Sequence, residues 1–522
     1  MKSILRALGL VFGDIGTSPI YTLTVIILLI KPEPTHIIGI ISLIVWSFII
    51  IVTIEYAWLA MSLGRRGEGG TIVLKERLIP LLRNGKQIAF FTMLTYIGVA
   101  ALIGDGVITP AISILSAVEG ILLIPGMEDT GTIVLVVIAA IIAIFLFAFQ
   151  KKGSEKVSDL FGPIMIFWFL ALAVAGIFSI MKFPQILQAV NPYYGSYFLV
   201  THGWAAFFIL SDVLLCLTGA EAMYADMGHL GRKPIVQAWY LVFFCLVLNY
   251  LGQGAFVLSH HHVKNVLFEM VFNQTQFFYI PFLVLSIVAT VIASQAMISG
   301  IFSIFYQAIT THILPILKVD YTSMKMRTQI YINTVNWLLL MAVLFVMFQF
   351  RESYRLAAAY GFLVITTMSI TGIMMTTIFF IRRSYFKLFF AVLVTIVDFA
   401  FLGASFNKIP HGGYLSLIIA AIPLSMILLY TSGQRKLYGA MQPVELRLFL
   451  EKYNELYHSV SKIQGTALFL VSNVKKIPPY MYNTMFNHRI LYEDNIVFSI
   501  IRNSDPFGVT GRFKEPLADG LR

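Results

Sequence analysis

Charged residues are scarce in this sequence. Asp, Glu, Lys and Arg make up 12% of its 522 residues, hydrophobic residues make up 58%, and the mean hydropathy is +0.83. In soluble globular proteins about a quarter of the residues are charged, so the composition excludes a soluble protein. The apolar runs are continuous rather than alternating, which also excludes a transmembrane β-barrel. We therefore predict an all-α polytopic membrane protein.

Cysteine is rare as well, and the sequence lacks the motifs of catalysis. The two cysteines, Cys216 and Cys245, lie within apolar runs and imply no disulfide framework. The sequence contains no nucleophile–base or metal-ligand set, and the GEGG at 67–70 lacks the Lys-Ser/Thr end of a P-loop. The carbonyl filter of potassium channels, of the TVGYG type, is also missing. We predict neither an enzyme nor a resident cofactor, and we favour a carrier over a channel.

Long apolar runs recur along most of the chain at the length of about 20 residues that a bilayer requires. They predict twelve spans, at residues 4–30, 37–62, 88–118, 130–149, 157–181, 204–230, 235–257, 277–311, 331–350, 354–380, 387–405 and 412–431. Beyond them the composition becomes more charged, with strand-like runs at GTALFLVS (465–472) and NIVFSII (495–501). The predicted domains are a transmembrane domain at 1–431 and a small cytoplasmic α/β domain at 432–522.

The basic residues explain the formal net charge of +11. One set of alternating loops carries Lys2, Arg6, Arg65, Arg66, Lys75, Arg77, Arg83, Lys86, Lys151, Lys152, Lys156, Arg232, Lys233, Lys318, Lys325, Arg327, Arg382, Arg383 and Lys387. The opposite set carries Lys31, Lys182, Lys264, Arg351, Arg355 and Lys408. This asymmetry follows the positive-inside rule and predicts that both termini are cytoplasmic. The basic excess therefore reflects membrane topology, and we expect no nucleic-acid partner.

The first span is interrupted in its middle by polar and helix-breaking residues. In GLVFGDIGTSPIYTL (9–23), Asp14 lies between Gly13 and Gly16, and Pro19 follows. At 1.5 Å of rise per residue, Asp14 reaches a depth of about 15 Å, which is the middle of the bilayer. An ionisable group at that depth is costly and is by default functional. Broken helices at mid-membrane are how many secondary transporters build their ion sites.

The sixth span contains a second interruption. In CLTGAEAMYADMGHLG (216–231), Gly219 and Glu221 stand where the apolar run breaks. Breaks in the first and sixth spans are the arrangement that a five-plus-five inverted repeat produces. The prediction depends on position and composition, because the sequence contains no literal repeat.

Acids accumulate in the spans without basic partners. In the third span, Asp105, Thr109 and Ser113 follow one another at four-residue spacing, so their oxygens lie on one helix face. The acids within spans are Asp14, Glu55, Asp105, Glu119, Glu221, Asp226 and Asp398, and no Lys or Arg lies securely within one. Buried carboxylates must be protonated, hydrogen-bonded or paired with a cation, and oxygen ligands suit hard cations. The residues therefore predict a cation carrier.

Ordered motifs along the whole membrane portion resemble those of the Kup family of bacterial potassium uptake permeases. The matching strings are GDIGTSPIYTL (13–23), GEGGTIVL (67–74), GDGVITPAISILSAVEG (104–120), TGAEAMYADMGHLG (218–231), NYLGQGA (249–255), ATVIASQAMISG (289–300) and AAAYG (357–361). The chain departs from the family after AAAYG, where Phe362-Leu363 and Ile365-Thr366 replace residues that are more commonly small.

The resemblance implies potassium uptake across the bacterial inner membrane, usually coupled to protons, on a leucine-transporter-type fold. It is also compatible with a homodimer. The residues that would line the ion path by this resemblance are Asp14, Tyr21, Asp105, Thr109, Ser113, Thr218, Glu221 and Tyr360. The alternatives are a transporter of another monovalent cation or a small amine on the same fold, and a channel-like potassium uniporter.

The coupling proton is assigned first to Glu221. If the first and sixth spans are repeat partners, Glu221 lies close to Asp14, and two neighbouring carboxylates in a dry site do not both stay charged without a cation. Potassium binding beside Asp14 would then favour release of that proton, or the reverse, which links the two ions. Glu119 and Asp105 of the third span are the alternates.

Overall fold

The computed structural model describes residues 2–29, 33–64, 68–151, 154–225, 227–260, 263–321, 330–441, 443–471, 474–499, 511 and 515–522. Within these ranges, ten helices are long and apolar enough to cross a membrane, or eleven if the bent pair Ser3–Leu10 and Gly13–Leu29 counts as one span. The predicted polytopic helical membrane protein is therefore confirmed.

The helices of the described part are numbered in chain order. They are α1 (Lys2–Leu10), α2 (Gly13–Thr17), α3 (Thr22–Leu29), α4 (Pro34–Ser47), α5 (Thr71–Leu78), α6 (Gly85–Glu119), α7 (Thr132–Phe149), α8 (Ser154–Lys182), α9 (Pro192–Val213), α10 (Ala220–Ala225), α11 (Met227–Leu230), α12 (Arg232–Ser259), α13 (Val266–Gln274), α14 (Gln276–Thr310), α15 (Asn333–Phe350), α16 (Ser353–Ala359), α17 (Phe362–Ile381), α18 (Tyr385–Ser405), α19 (Tyr414–Met441), α20 (Leu446–Ser459) and α21 (Pro479–Tyr482).

The first span is broken where the sequence predicts it. The helix axis bends by 65° between Ser3–Leu10 and Gly13–Leu29, and a 3₁₀ turn at Ser18–Ile20 separates α2 from α3. Pro19 sits in the first positions of that turn, where a residue without an N–H costs no hydrogen bond. The Thr17 hydroxyl donates to the Asp14 carbonyl at 3.0 Å, and the Ser18 hydroxyl donates to the Ile15 carbonyl at 2.7 Å.

Helix α9 begins before the predicted sixth span, at Pro192, where the Asn191 side chain accepts from the Tyr193 N–H. Its backbone is not helical at Gly203, so the helix that follows begins at residue 204, as predicted. An asparagine cap followed by proline is a helix-start signal that the apolar run alone did not include. Gly203, with φ of +52°, kinks α9. A 3₁₀ turn at Leu214–Leu217 then leads into the break before α10.

The second and tenth spans also depart from a regular α-helix. The second span continues α4 through a π-helical segment, Phe48–Leu59, into a 3₁₀ turn, Ala60–Leu63. The tenth predicted span is divided between α16 and α17 by Tyr360 and Gly361, which has φ of +95°.

The last two predicted spans, 387–405 and 412–431, form one helical run, Tyr385–Met441, of 57 residues. A straight helix of that length would measure about 85 Å, nearly three times the hydrocarbon core. The run is interrupted by a 3₁₀ turn at Phe406–Lys408 and a π turn at Ile409–Gly413, in which Gly412 has φ of +119°. The number of predicted spans is therefore twelve and the number of helical segments is eleven, because the prediction has two spans where the structure has this one interrupted run.

The long helix α6 lies at the centre of the membrane unit. It packs against α14, α15 and α17, while α8 and α12 pair with each other and α1 lies against both. Small residues permit the closest approaches, because an added Cβ on Gly252 would lie 2.3 Å from the Gly176 Cα. These packed helices hold the broken segments α2 and α10 away from lipid.

The chain divides by its contacts into two units, Met1–Ile427 and Leu428–Arg522. This division and the predicted domain boundary at residue 432 both lie within α19. Outside the helices, β1 (Asp320–Tyr321) pairs antiparallel with β2 (Ile330–Tyr331). In the second unit, β3 (Val444–Glu445) pairs antiparallel with β5 (Lys476–Ile477), and β4 (Ile463–Leu470) pairs parallel with β6 (Tyr492–Phe498). The core of this unit includes Phe449, Tyr453, Phe469, Ile477 and Leu521.

Candidate functional site

The breaks of the first and sixth spans meet at Asp14. Gly219, between the 3₁₀ turn and α10, has φ of +85°, and a Cβ added to it would lie 2.9 Å from Asp14 Oδ2 and 2.9 Å from the Ile15 backbone nitrogen. Only glycine adopts this conformation without strain. Asp14 is 4% exposed. Among the described residues, neither of its carboxylate oxygens has a hydrogen-bond partner.

The unwound backbone beside Asp14 is satisfied by distant side chains. The Trp168 indole donates to the Gly16 carbonyl at 2.8 Å, and the Gln253 amide donates to the Pro19 carbonyl at 3.0 Å. Gln253 also donates to the Asn249 side-chain oxygen at 2.7 Å. A freed carbonyl in a membrane protein must find such a partner. The sequence analysis missed these residues, although Asn249 and Gln253 stand at four-residue spacing in NYLGQGA.

Hydroxyl groups from three spans surround the break. The Tyr21 hydroxyl lies 3.3 Å from the Thr218 hydroxyl, and the Thr17 hydroxyl lies 3.4 Å from the Ser113 hydroxyl. Tyr21, Thr218 and Ser113 are all buried. The structure thus joins the first span to the sixth through Tyr21 and Thr218 and to the third through Thr17 and Ser113, and the resemblance places all of these except Thr17 along the ion path.

The acid of the third span is tied to the tenth span. The Thr109 hydroxyl donates to Asp105 Oδ1 at 3.2 Å and lies 2.8 Å from the Tyr360 hydroxyl. Asp105 is 4% exposed and Tyr360 is 1% exposed. The predicted line of oxygens on α6 therefore faces the break between α16 and α17, and Tyr360 is brought to it by the tertiary structure.

A small cavity reaches Asp14 from one side of the membrane unit. Its walls include Leu10, Ala222, Met297 and Ile304. Its volume is about 20 Å³. This is room for about one water molecule, which needs about 10–15 Å³. Tyr21, Thr218 and Tyr360 do not line it. The cavity beside Asp14 is therefore lined by other residues than its hydroxyl-bearing neighbours.

Glu221 lies on α10 but does not bond to the first span. Its carboxylate accepts from the Tyr56 hydroxyl at 3.1 Å and from the Thr371 hydroxyl at 3.4 Å. These partners come from the second span and from α17, and the sequence analysis named neither. The hydrogen bonds connect Glu221 to a different part of the bundle from Asp14.

Glu119 holds the start of α16. Its carboxylate accepts from the Ser353 N–H at 2.7 Å and also from the Ser353 hydroxyl. A carboxylate that accepts from the first N–H of a helix satisfies an otherwise unpaired donor. This geometry positions the segment that leads to Tyr360. Asp226, the remaining acid of the sixth span, lies outside the described residues.

Comparisons with known proteins identify the family. Residues 1–435 match the family model described as K+ potassium transporter integral membrane domain, and residues 464–516 match K+ potassium transporter C-terminal domain. The probable potassium transport system protein Kup of Methanosarcina acetivorans is 59% identical over 521 residues, which is 100% of this chain and 86% of the relative. Kup 2 of Geobacter sulfurreducens is 56% identical over 518 residues, covering 99% and 86%.

Among solved structures, a manganese transporter from Eremococcus coleocola shares 10% sequence identity at a TM-score of 0.42, over 83% of this chain and 94% of that chain. The family matches confirm the resemblance seen in the motifs. The chain belongs to the Kup family of potassium transporters.

Proposed function

We propose that this chain takes up potassium by proton-coupled symport, with Asp14 at the centre of the potassium site. The observation that carries the proposal is the Asp14 carboxylate, which is 4% exposed and without a hydrogen-bond donor among the described residues. A buried carboxylate in that condition requires a cation or a proton. The relatives are named as probable potassium transport system proteins, and potassium is the cation that we assign to this site.

The oxygen-bearing neighbours supply the remaining ligands. Tyr21 and Thr218 close one side of the broken first span, and the oxygens of Asp105, Thr109 and Tyr360 follow on the third and tenth spans. Ser113, through Thr17, extends the same path. Carboxylate, hydroxyl and backbone carbonyl oxygens suit a hard monovalent cation. We propose that the ion passes along these groups rather than through a fixed filter.

The asymmetry of the site supports alternating access. The cavity beside Asp14 is bounded by Leu10, Ala222 and Ile304, whereas hydrogen bonds join Tyr21 to Thr218 on another side of the break. A transporter that opens alternately to each side has one of its two access routes closed in any one state. The two broken spans are consistent with the five-plus-five inverted repeat. The placement of basic residues supports cytoplasmic termini.

Glu221 remains our first choice for the coupled proton. Its hydrogen bonds to Tyr56 and Thr371 place it beside other groups than Asp14, so direct contact between the two carboxylates is not the basis of coupling. Glu221 follows Gly219 in the sixth span, and Asp14 packs against Gly219. Movement of the sixth-span break would therefore change the surroundings of both carboxylates. Two ligands that each prefer one arrangement of the break are thereby linked.

The test is rubidium uptake in a cell that lacks its own potassium uptake, with and without a protonophore. Wild-type uptake should depend on the proton gradient, and Asp14→Asn should abolish it while keeping normal expression. Asp129→Asn, in an exposed loop, removes the same charge and should transport normally. Full uptake by Asp14→Asn would refute the site, and competition by sodium or ammonium instead of potassium would favour another cation.

A further inference from the structure

Two carboxyl groups that the proposed site does not use lie together inside the bundle. Glu55 is on the π-helical segment of the second span and Asp398 is on α18, and both are 0% exposed. The π-helical segment packs against α18, and each of the two carboxyl groups acts electrostatically on the other. No other described group donates a hydrogen bond to any of their four oxygens. We call these two residues the acid pair.

No basic side chain of the described residues balances the acid pair. Lys387, near the start of α18, donates to the Ser62 hydroxyl at 3.2 Å. Lys408, beyond the other end of α18, forms an ion pair with Asp212 at 2.8 Å. Glu221, a third acid, acts electrostatically on both carboxyl groups of the pair. Among the described residues, the charged group next to the acid pair is therefore another acid and not a base.

The chain makes room for these carboxyls at a glycine of α17. A Cβ added to Gly372 would lie 2.9 Å from Asp398 Oδ2 and 2.8 Å from the Thr395 hydroxyl. A close approach of this kind is one of the uses of glycine inside a helix. The carboxyl group of Asp398 is thus held by packing rather than by a hydrogen-bond donor.

Two neighbouring carboxyl groups cannot both be ionised in a dry site without a balancing cation, and they share a proton instead. We infer that the Glu55–Asp398 pair is a proton-binding site that carries the coupled proton after Glu221. One proton arrives at the pair as one leaves it, so the number of protons on the pair is restored in each cycle. This inference rests on the proposed proton-coupled symport.

Hydroxyl groups near the acid pair form hydrogen bonds with Glu221 and with one another. The Tyr56 hydroxyl, next to Glu55 in the chain, donates to Glu221 Oε2 at 3.1 Å. Thr371, next to Gly372, donates to the other oxygen of Glu221 at 3.4 Å. Away from Glu221, the Thr395 hydroxyl lies 3.1 Å from that of Thr376, which is half-buried.

Thr376 lies in the last two turns of α17, and Thr395 lies at the middle of α18, about one turn nearer than Asp398 to the end at which Arg382, Arg383 and Lys387 occur in the sequence. The positive-inside rule predicts that this end faces the cytoplasm. The hydroxyl groups therefore extend from the acid pair toward the side at which an imported proton is released.

The experiment measures the number of protons moved per rubidium ion, from reversal potentials in proteoliposomes containing the full chain. Glu55→Gln and Asp398→Asn should retain downhill rubidium flux within about threefold of wild type, while the proton-to-rubidium ratio falls at least fivefold. Glu128→Gln, in an exposed loop, is the control and should keep the wild-type ratio. An unchanged ratio in either acid-pair variant would overturn the inference.

A second variant covers the case in which neutral substitutions prevent folding. The double exchange Glu55→Asp with Asp398→Glu keeps two carboxyls in the site and should retain the wild-type ratio. Infrared difference spectroscopy of the wild type should show the carbonyl band of a protonated carboxyl that shifts in D₂O and changes when rubidium binds. Absence of that band would also overturn the inference. A wild type that moves rubidium without protons would instead refute the proposed symport.

Discussion

Gly219→Ala tests the contact on which the proposed potassium site depends. The substitution adds one methyl group at a residue with φ of +85°, and a non-glycine residue in that region costs about 1–3 kcal/mol. The added Cβ would also lie 2.9 Å from both Asp14 Cβ and Asp14 Oδ2, which is closer than ordinary van der Waals contact. Since the methyl group is fixed to the backbone, the Asp14 side chain has to move.

The magnitude follows from what Asp14 loses. An interaction of a charged group is worth about 1.5–3 kcal/mol, and each 1.4 kcal/mol is a factor of about ten in affinity. If the displaced carboxylate loses one such interaction with the ion, the rubidium concentration for half-maximal uptake should rise about 10- to 100-fold. The measurement is the concentration dependence of rubidium uptake in proteoliposomes, with the amount of reconstituted protein matched.

Gly231→Ala separates the two effects of the substitution. Gly231 has φ of +76°, but an added Cβ would meet nothing within 4 Å. The variant therefore also places alanine at a positive φ, but without touching Asp14. Both variants should lose thermal stability in detergent to a similar extent, and only Gly219→Ala should lose rubidium affinity. Equal affinities in the two variants would refute the reasoning, because strain alone would then account for the result.

Three further substitutions examine the surrounding hydrogen bonds. Tyr21→Ala should weaken apparent rubidium affinity at normal expression, because the group bonded to Thr218 is lost; an unchanged affinity would exclude Tyr21 from the site. Tyr360→Phe removes the 2.8 Å contact with Thr109, worth about 0.5–1.5 kcal/mol, so affinity should fall by up to about tenfold in the same uptake assay, and a normal value would contradict the role. Gln253→Leu leaves the Pro19 carbonyl without its donor at a cost of about 1–3 kcal/mol; a thermal shift assay should show lower stability, with Gln274→Leu as a more exposed comparison.

Much of the site could be predicted because its backbone breaks are local. Gly13, Gly16 and Pro19 weaken the helix wherever they occur in sequence, and the structure bends the span by 65° at that place. The spacing of Asp105, Thr109 and Ser113 likewise fixes one helix face before any tertiary contact forms. The start of α9 was missed because a cap at Asn191 is a short polar signal beside a long apolar run.

The partners of the predicted acids could not be read from the sequence. Glu119 meets Ser353 across a separation of 234 residues, and Glu221 meets Tyr56 across 165. Which residues meet depends on the rotation and depth of each helix, and an apolar run that is buried on most sides leaves its rotation undetermined. The prediction that Glu221 lies beside Asp14 therefore named the right span but not the neighbours.

The sequence by itself determined the membrane class, the broken spans and the family, because hydropathy, helix-breaking residues and ordered motifs act along the chain. It also required that the buried acids have a cation, a proton or a donor, since the cost of burying a charge does not depend on the fold. Only the tertiary structure decided how each requirement is met. Within the described part of the chain, Asp14 has no hydrogen-bond donor, Glu119 caps a helix, and Glu55 lies near Asp398, because helix packing brings different groups to each carboxyl.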